Sequence, residues 1–432
     1  NLQVAEKLYR ETLKINPNHV DAHNNLGIIL LRLGKSQIAK SCFEKSIEID
    51  PNHANAHNNL GVVFRQLSKH EKAKSCYEKA IKINPNYASA HNNLGVVLLR
   101  LEKSKEAIFC FEKVLQINPN YASAHNNLGI IFKQLKQDKK AINSYQKAIE
   151  IQPNNSSAHN NLGAVFSDVG DDQKAISCYK TAIQIQPNNA EAYYNLGEIL
   201  RKLKNFHEAK DCFKKVETAL GNAQFLECTY LSSGIDNYNE LLNVFVKRDP
   251  TNLRIAAFAA YVSKKENIKN IYPFCKNPLD YFFSVNLKDK FKFAEKFTNG
   301  LFEFSEKLGT KWQLKPIIKK GQQSTGNLLD NSLLEIVELK KKIESQITIY
   351  REKYKNSNDY YISKWPTKSR LMGWYIKLKK QGQVKSHMHE SGWLSAVFYL
   401  KVPKPLKKNE GSINLTLQGL DYPYDKTLPN FY

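Results

Sequence analysis

The sequence predicts a multidomain chain: an all-α solenoid of stacked helix pairs over residues 1–220, a helical segment over 221–360, and antiparallel β-strands over 361–432. Three observations lead there. His-Asn-Asn-Leu-Gly occurs at 23–27, 57–61, 91–95, 125–129 and 159–163, with Tyr193-Tyr194-Asn195-Leu196-Gly197 as a sixth form, each 34 residues after the last. Such a period marks a stacked supersecondary unit instead of a single globular core. Around each copy the apolar residues follow helical spacing, and beyond 361 they alternate as in strands.

In the unit 20–53, Leu26, Ile29, Leu30 and Leu33 define a first helix. Gly34 ends it, because a residue without Cβ enters the left-handed cap cheaply. A second helix is expected from about Ser36 to Ile49, with Ala39, Phe43 and Ile47 on one face, and Asp50-Pro51-Asn52 stops it. Gly27 and Ala39 are small where the two helices approach, and Phe43 is expected to fill the gap towards the next unit. The other units are 54–87, 88–121, 122–155, 156–189 and 190–220, after a half repeat at 1–19. Residue 1 is Asn, and Ala5, Tyr9 and Pro17 match the second half of a unit. The chain is therefore expected to be an excerpt of a longer protein.

The formal net charge is +23, spread as 30 Lys+Arg against 21 Asp+Glu in 1–220 and 34 against 20 in 221–432. With no basic run longer than three residues, a solvated lysine-rich surface is the expected reading, and nucleic acid is not the expected partner. No apolar run spans a bilayer and no signal peptide opens the chain, so no membrane association is expected. Cys42, Cys76, Cys110, Cys178 and Cys212 share one repeat position. Equivalent side chains on successive repeats lie about 10 Å apart, too far for a disulfide. They are expected to be buried thiols, and the compartment to be cytoplasmic.

Leu-Gly, a small residue opening the second helix, an aromatic four later and a proline eight beyond that resemble the tetratricopeptide repeat, over about half the chain. The resemblance implies a right-handed superhelix with a concave groove that takes a protein or peptide. It also places Asn25, Asn59, Asn93, Asn127, Asn161 and Asn195 on the groove-lining helix. A carboxamide offers one acceptor and two donors, so this ladder could grip an extended backbone, as similar ladders do in O-linked N-acetylglucosaminyltransferase repeats. The alternative is that these asparagines are polar helix-surface residues copied by duplication. The stripe His23, His57, His91, His125 and His159 is read as packing, since one imidazole per repeat cannot share a metal whose bonds are about 2.1 Å.

Over 221–360 the period is gone, but 239–245 and 253–261 keep helical patterns. The apolar, proline-bearing stretch 271–283 is expected to be irregular and to cap the solenoid. Cys275 has no nearby His or Cys and is read as buried and inert. Residues 312–329 are expected to be extended, and Leu333 to Tyr354 to be a helix. Residues 221–360 are expected to serve as a helical cap and connector.

In 361–432, strands are expected at 373–378, 395–402 and 412–417, with Lys380-Gln381-Gly382 as a turn. Between the first two lies His387-Met388-His389-Glu390. Histidines two apart on a strand share a face, and imidazole suits non-haem iron, which takes two histidines and a carboxylate. Trp374-Tyr375, Gly382, His387-x-His389, Ser391-Gly392-Trp393, Phe398-Tyr399-Leu400 and Glu410-Gly411 resemble a family of 2-oxoglutarate/iron(II) oxygenases. The resemblance implies a double-stranded β-helix (jelly roll), here incomplete, with Fe(II) and 2-oxoglutarate as cofactors. By position His387 is the first metal ligand. His389 stands where a carboxylate is usual, so His389 or Glu390 supplies the second, or the centre is not functional. The distal ligand and the residues that bind 2-oxoglutarate fall beyond what these positions identify, the catalytic residues stay unassigned, and the chain as it stands is not expected to turn over.

The leading functional reading is a solenoid that binds a protein or peptide for hydroxylation by this oxygenase-like segment. Two others stay open: a non-catalytic scaffold for protein–protein interaction, and the repeat part of a glycosyltransferase, for which 221–432 offers no glycine-rich nucleotide loop.

Overall fold

A computed structural model describes residues 1–276, 281, 312–313, 318–324, 327–330, 332, 334–365, 376–384, 415–416 and 430–431. Its contacts divide the chain into two compact units, Asn1–Lys204 and Asn205–Tyr432.

The first unit opens with α1 (Leu2–Ile15) and continues as helix pairs: α2 (Val20–Arg32) with α3 (Ser36–Ile49), α4 (Ala54–Gln66) with α5 (His70–Ile83), and α6 (Ala88–Arg100) with α7 (Ser104–Ile117). Then follow α8 (Ala122–Gln134) with α9 (Asp138–Ile151), α10 (Ser156–Asp168) with α11 (Asp172–Ile185), and α12 (Ala190–Lys202). The pairs are the all-α solenoid expected from the period.

Each first helix ends in the same way. Lys35 N–H bonds the Leu30 carbonyl at 2.8 Å and Gly34 N–H bonds that of Leu31 at 3.0 Å, a Schellman closure with Gly34 at φ +74°. The same left-handed position is filled by Ser68, Glu102, Lys136 and Lys204, with φ of 55–61°, and by Gly170. At the other end of the pair Asp50, Asn84 and Asn118 stop the second helix. Each accepts from the backbone N–H two residues on, at 2.9–3.1 Å, across the intervening proline.

The pair is locked by a ring over a glycine. Phe43 is fully buried, and a Cβ built on Gly27 would stand 2.6 Å from its ring. Gly61 faces Tyr77, Gly95 faces Phe111, Gly129 faces Tyr145 and Gly163 faces Tyr179 in the same way, at 2.6–2.8 Å. The structure seats the aromatic against its own unit's first helix, and Phe43 shares one buried cluster with Leu60 and Val63 of the next unit. Only a residue with no side chain lets the ring lie flat against the helix backbone.

The second unit contains α13 (Phe206–Phe213), the long α14 (Ala219–Arg248) and α15 (Leu253–Lys265). Gly234, at φ 77° and ψ −173°, breaks α14 into two helical segments. Asn252 ties the pair together. Its side chain accepts from the N–H groups of Arg254 and Ile255 at the start of α15, and donates to the Ala219 carbonyl at 2.7 Å and to Asp249 at 2.8 Å. Around them lies an aromatic core of Tyr238, Phe258, Tyr261, Tyr272, Phe274, Tyr350 and Tyr361. Residues 271–276 are irregular, as expected. They are held where Tyr360 N–H bonds the Pro273 carbonyl and Tyr361 N–H that of Phe274, at 2.9 and 2.7 Å. Cys275 is buried in this core.

Farther on come β1 (Trp312–Gln313), β2 (Ile318–Ser324), α16 (Leu334–Tyr354), α17 (Tyr360–Ser363), β3 (Ile376–Val384), β4 (Leu415–Thr416) and β5 (Asn430–Phe431). The strands form an antiparallel β1-β2-β3 sheet and a separate β4-β5 pair. Lys380-Gln381-Gly382, expected as a turn, lies inside β3. Gly321 pairs with Leu378 and Lys319 with Gln383, so the stretch between is an irregularity that absorbs extra residues in one strand. A glycine among polar residues signals a bulge and a turn alike, and only the partner strand decides between them.

Candidate functional site: the carboxamide face of the repeats

The first helices α2, α4, α6, α8 and α10 each carry two adjacent asparagines, and the structure gives them different work. Asn59 donates from Nδ2 to Oδ1 of Asn24 at 2.9 Å, and Asn93 to Asn58 at 2.9 Å. The pattern continues with Asn127 to Asn92 (3.3 Å), Asn161 to Asn126 (3.2 Å) and Asn195 to Asn160 (3.1 Å). The second asparagine of each unit therefore reaches back to the first asparagine of the unit before. In the sixth copy Tyr194 replaces the acceptor while Asn195 keeps the donor. Within a unit, Asn24 and Asn58 also donate to Asn25 and Asn59, at 3.3 and 3.4 Å.

These bonds run between units and fix how one unit turns on the next. They also use one N–H of each reaching carboxamide and leave its second N–H. Asn25, Asn59, Asn93, Asn127, Asn161 and Asn195 are all half-buried. Three residues on, and so on the same face, stand half-buried Ile28, Val62, Val96, Ile130 and Ala164. The surface is a row of oriented amides beside a row of small aliphatic groups. Along it opens a cleft of about 430 Å³ lined by Asn126, Ile130, Ser157, Asn160, Asn161, Gln186, Asn189 and Glu191.

The histidine stripe has a structural task. Nε2 of His23, His57, His91, His125 and His159 meets the carbonyl of Pro17, Pro51, Pro85, Pro119 and Pro153, at 2.8–3.2 Å. Each imidazole closes the inter-unit turn six residues before it. Burial pushes the His125 pKa down, which keeps the ring neutral with Nε2–H as the donor.

A second histidine grouping has catalytic order without catalytic geometry. Ser46 Oγ lies 3.5 Å from His53 Nδ1, and His53 Nε2 lies 3.1 Å from Asp21 Oδ1. Ser46 is fully buried and donates to the Val20 carbonyl at 3.1 Å, while His53 Nδ1 accepts the Ala56 N–H at 3.2 Å. The nitrogen a general base would use is occupied by helix capping.

His387, His389 and Glu390 lie outside the described residues; β3 ends at Val384. Among the described residues no three His, Cys, Asp or Glu side chains are grouped to hold a metal, and no helix is long and apolar enough to cross a membrane.

Tetratricopeptide-repeat family models match residues 19–86, 52–120, 110–143, 131–170, 168–204 and 190–219. Residues 19–219 are tetratricopeptide repeats. A further model, described as "Putative 2OG-Fe(II) oxygenase", matches 372–425. No curated protein matches the chain in sequence. Among solved structures the tetratricopeptide array is similar to Pseudomonas aeruginosa pilF, at 21% identity and a TM-score of 0.43, over 48% of this chain and 97% of that one. It is also similar to YrrB, a TPR protein with an unusual peptide-binding site, at 23% identity and 0.35, over 43% and 95%. The Cut9–Hcn1 tetramer of APC/C matches at 17% and 0.47, over 56% of this chain and 46% of that one. Tetratricopeptide repeats are protein-binding scaffolds, and the array here has that architecture.

Proposed function

We propose that the repeat array binds an extended polypeptide along its carboxamide row and serves a C-terminal Fe(II)/2-oxoglutarate oxygenase segment that hydroxylates the bound chain. The observation that carries the binding half is the ladder itself. Its inter-unit bonds hold Asn59, Asn93, Asn127, Asn161 and Asn195 in fixed orientation, so a peptide backbone meets donors already ordered. Main-chain amides recur every residue, so carboxamides along a row bind backbone without reading side chains. The aliphatic row at Ile28, Val62, Val96 and Ile130 covers the apolar side of the bound chain.

The oxygenase half is supported by the match over 372–425 and by its donor set. Two imidazoles and a carboxylate, His387, His389 and Glu390, are the ligand types Fe(II) takes. In this reading His387 holds the metal with His389 or Glu390, in a jelly-roll fold. Bound Fe(II) with 2-oxoglutarate would supply oxidation of an unactivated C–H bond by O₂. The residues of this chain bind, orient and exclude water.

Anaerobic Fe(II) titration of the protein with 2-oxoglutarate, followed by the metal-to-2-oxoglutarate absorption band, tests this. One equivalent bound, and at least tenfold weaker binding in His387→Ala, is the expected result. No stoichiometric binding leaves a scaffold of tetratricopeptide repeats and removes the enzyme.

A further inference from the structure

The two edges of the solenoid differ in charge. Because the helices of each pair are antiparallel, every turn from first to second helix falls on one edge and every turn between units on the other. The inter-unit turns at 16–19, 50–53, 84–87, 118–121 and 152–155 hold one charged carboxylate, Asp50, and otherwise Asn, Gln, Pro, His and Tyr. The intra-unit stretches 31–37, 65–71, 99–105 and 133–139 hold ten Lys or Arg against three acids, Glu71, Glu102 and Asp138, and the basic run ends there, since 167–173 holds Asp168, Asp171 and Asp172 and no cation. Lys35, Lys103 and Lys133 lean on Glu6, Glu106 and Asp168, at 2.9, 4.0 and 3.4 Å. Arg32, Lys69, Arg100, Lys105, Lys136 and Lys139 are exposed and make no ion pair among the described residues.

Between these cations runs an apolar line. The residue capping the first helix in these four units is Leu33, Leu67, Leu101 or Leu135, and Leu67 and Leu135 are 41% and 47% exposed. Leu33 and Leu101 are half-buried. Leu101 also packs on the core, while Leu67 and Leu135 repeat one exposed place two units apart.

We infer that this edge docks an acidic, extended polypeptide segment with apolar side chains spaced among its carboxylates. Successive leucines lie about 10 Å apart if the helices pack at usual distances, and three residues of a polyproline-II chain span about 9 Å and bring a side chain back to the same face. An apolar residue at every third position then meets each leucine, while the residues between face Arg32, Lys69, Arg100 and Lys136. Charge complementarity selects an anionic partner. The four stretches contain no Phe, Tyr or Trp, so they lack the stacking platforms that single-stranded nucleic acid uses. The inference does not rest on the carboxamide row, which lies on a different face.

Fluorescence anisotropy of the whole chain with a labelled peptide of five Glu-Glu-Leu repeats tests it. The expected result is binding that weakens steeply with salt, and falls at least tenfold in the quadruple variant Arg32→Glu/Lys69→Glu/Arg100→Glu/Lys136→Glu. A quadruple Gln variant, with the helical circular dichroism of the parent, loses at least fivefold, which separates charge from unfolding. Leu67→Ser/Leu135→Ser loses several-fold, and a Glu-Glu-Ser peptide binds correspondingly weaker. The inference is overturned by no binding to the parent chain, or by equal binding to the folded quadruple Gln variant. Equal affinity for the Glu-Glu-Ser peptide also overturns it, as does tighter binding of a single-stranded oligonucleotide or a phosphatidylserine vesicle.

Discussion

Asn59 in the second unit donates to Asn24 in the first at 2.9 Å, a polar tie between helix pairs that already share a buried core. A solenoid contacts only its neighbours, so whatever fixes one junction fixes the path of the whole groove. The bond is expected to contribute about 1 kcal/mol net. Asn93→Ala should lower urea-unfolding stability by about that amount. In a double-mutant cycle with Asn58→Ala the coupling should be about 0.5–1 kcal/mol. Additive single losses would mean the 2.9 Å contact between Asn93 and Asn58 does not hold the junction.

Gly95 lies under Phe111, with room for no further carbon: a Cβ there would stand 2.7 Å from the ring. Gly95→Ala should destabilise by about 1–3 kcal/mol through overpacking. Phe111→Leu placed on top should recover part of that loss, since a smaller side chain clears the new methyl. A thermal melt of the three variants reads both effects.

Glu102 and Lys136 sit at φ 60° and 56°, where Gly34 and Gly170 stand in other units. Left-handed backbone costs a side-chain-bearing residue about 1 kcal/mol. Glu102→Gly and Lys136→Gly should each raise stability by up to about 1 kcal/mol, and Gly34→Ala should lower it by about as much. Equal melting temperatures for all three would contradict the Schellman geometry.

Burial pushes the Cys76 and Cys110 thiols up to about 11. All seven cysteines are free thiols. At pH 8 an aromatic disulfide reagent should leave Cys76 and Cys110 unmodified in the native chain and label them on adding denaturant. A thiol whose folded pKa is raised keeps its proton longer folded than unfolded. Its contribution is therefore present below the unfolded value near 9 and is lost as pH climbs towards 11. Stability should fall over that interval, and less so in Cys76→Ala/Cys110→Ala.

What was legible in the sequence follows the range of the interactions. The second helix from Ser36 to Ile49 and the turn at Gly34 are set by neighbours a few residues away, and both appear where the pattern placed them. The role of Gly27 as the small residue was also readable, but its partner was not. Phe43 could face either unit until the backbones were placed. The asparagines show the same limit. The doublet was visible five times as a candidate grip on a ligand, yet its bonds link residues 35 positions apart. One signal was available: the sixth copy keeps Asn195 and gives up its companion to Tyr194, which separates the donor from the acceptor. In the second unit β2 and β3 pair across more than fifty residues, so the glycine at 382 could not be told from a turn.

The claim that the carboxamide row grips backbone is tested most directly by comparing an uncharged extended peptide library with its ester-backbone counterpart, by anisotropy against the whole chain. Replacing amides by esters weakens the main-chain carbonyl acceptors that the row's N–H groups meet and leaves side chains in place, and the lack of charge keeps the basic edge out of the measurement. The account predicts sequence-tolerant binding of the amide library, at least tenfold weaker binding of the ester one, and a comparable loss in Asn59→Ala/Asn93→Ala/Asn127→Ala. Equal affinity for both libraries would contradict it.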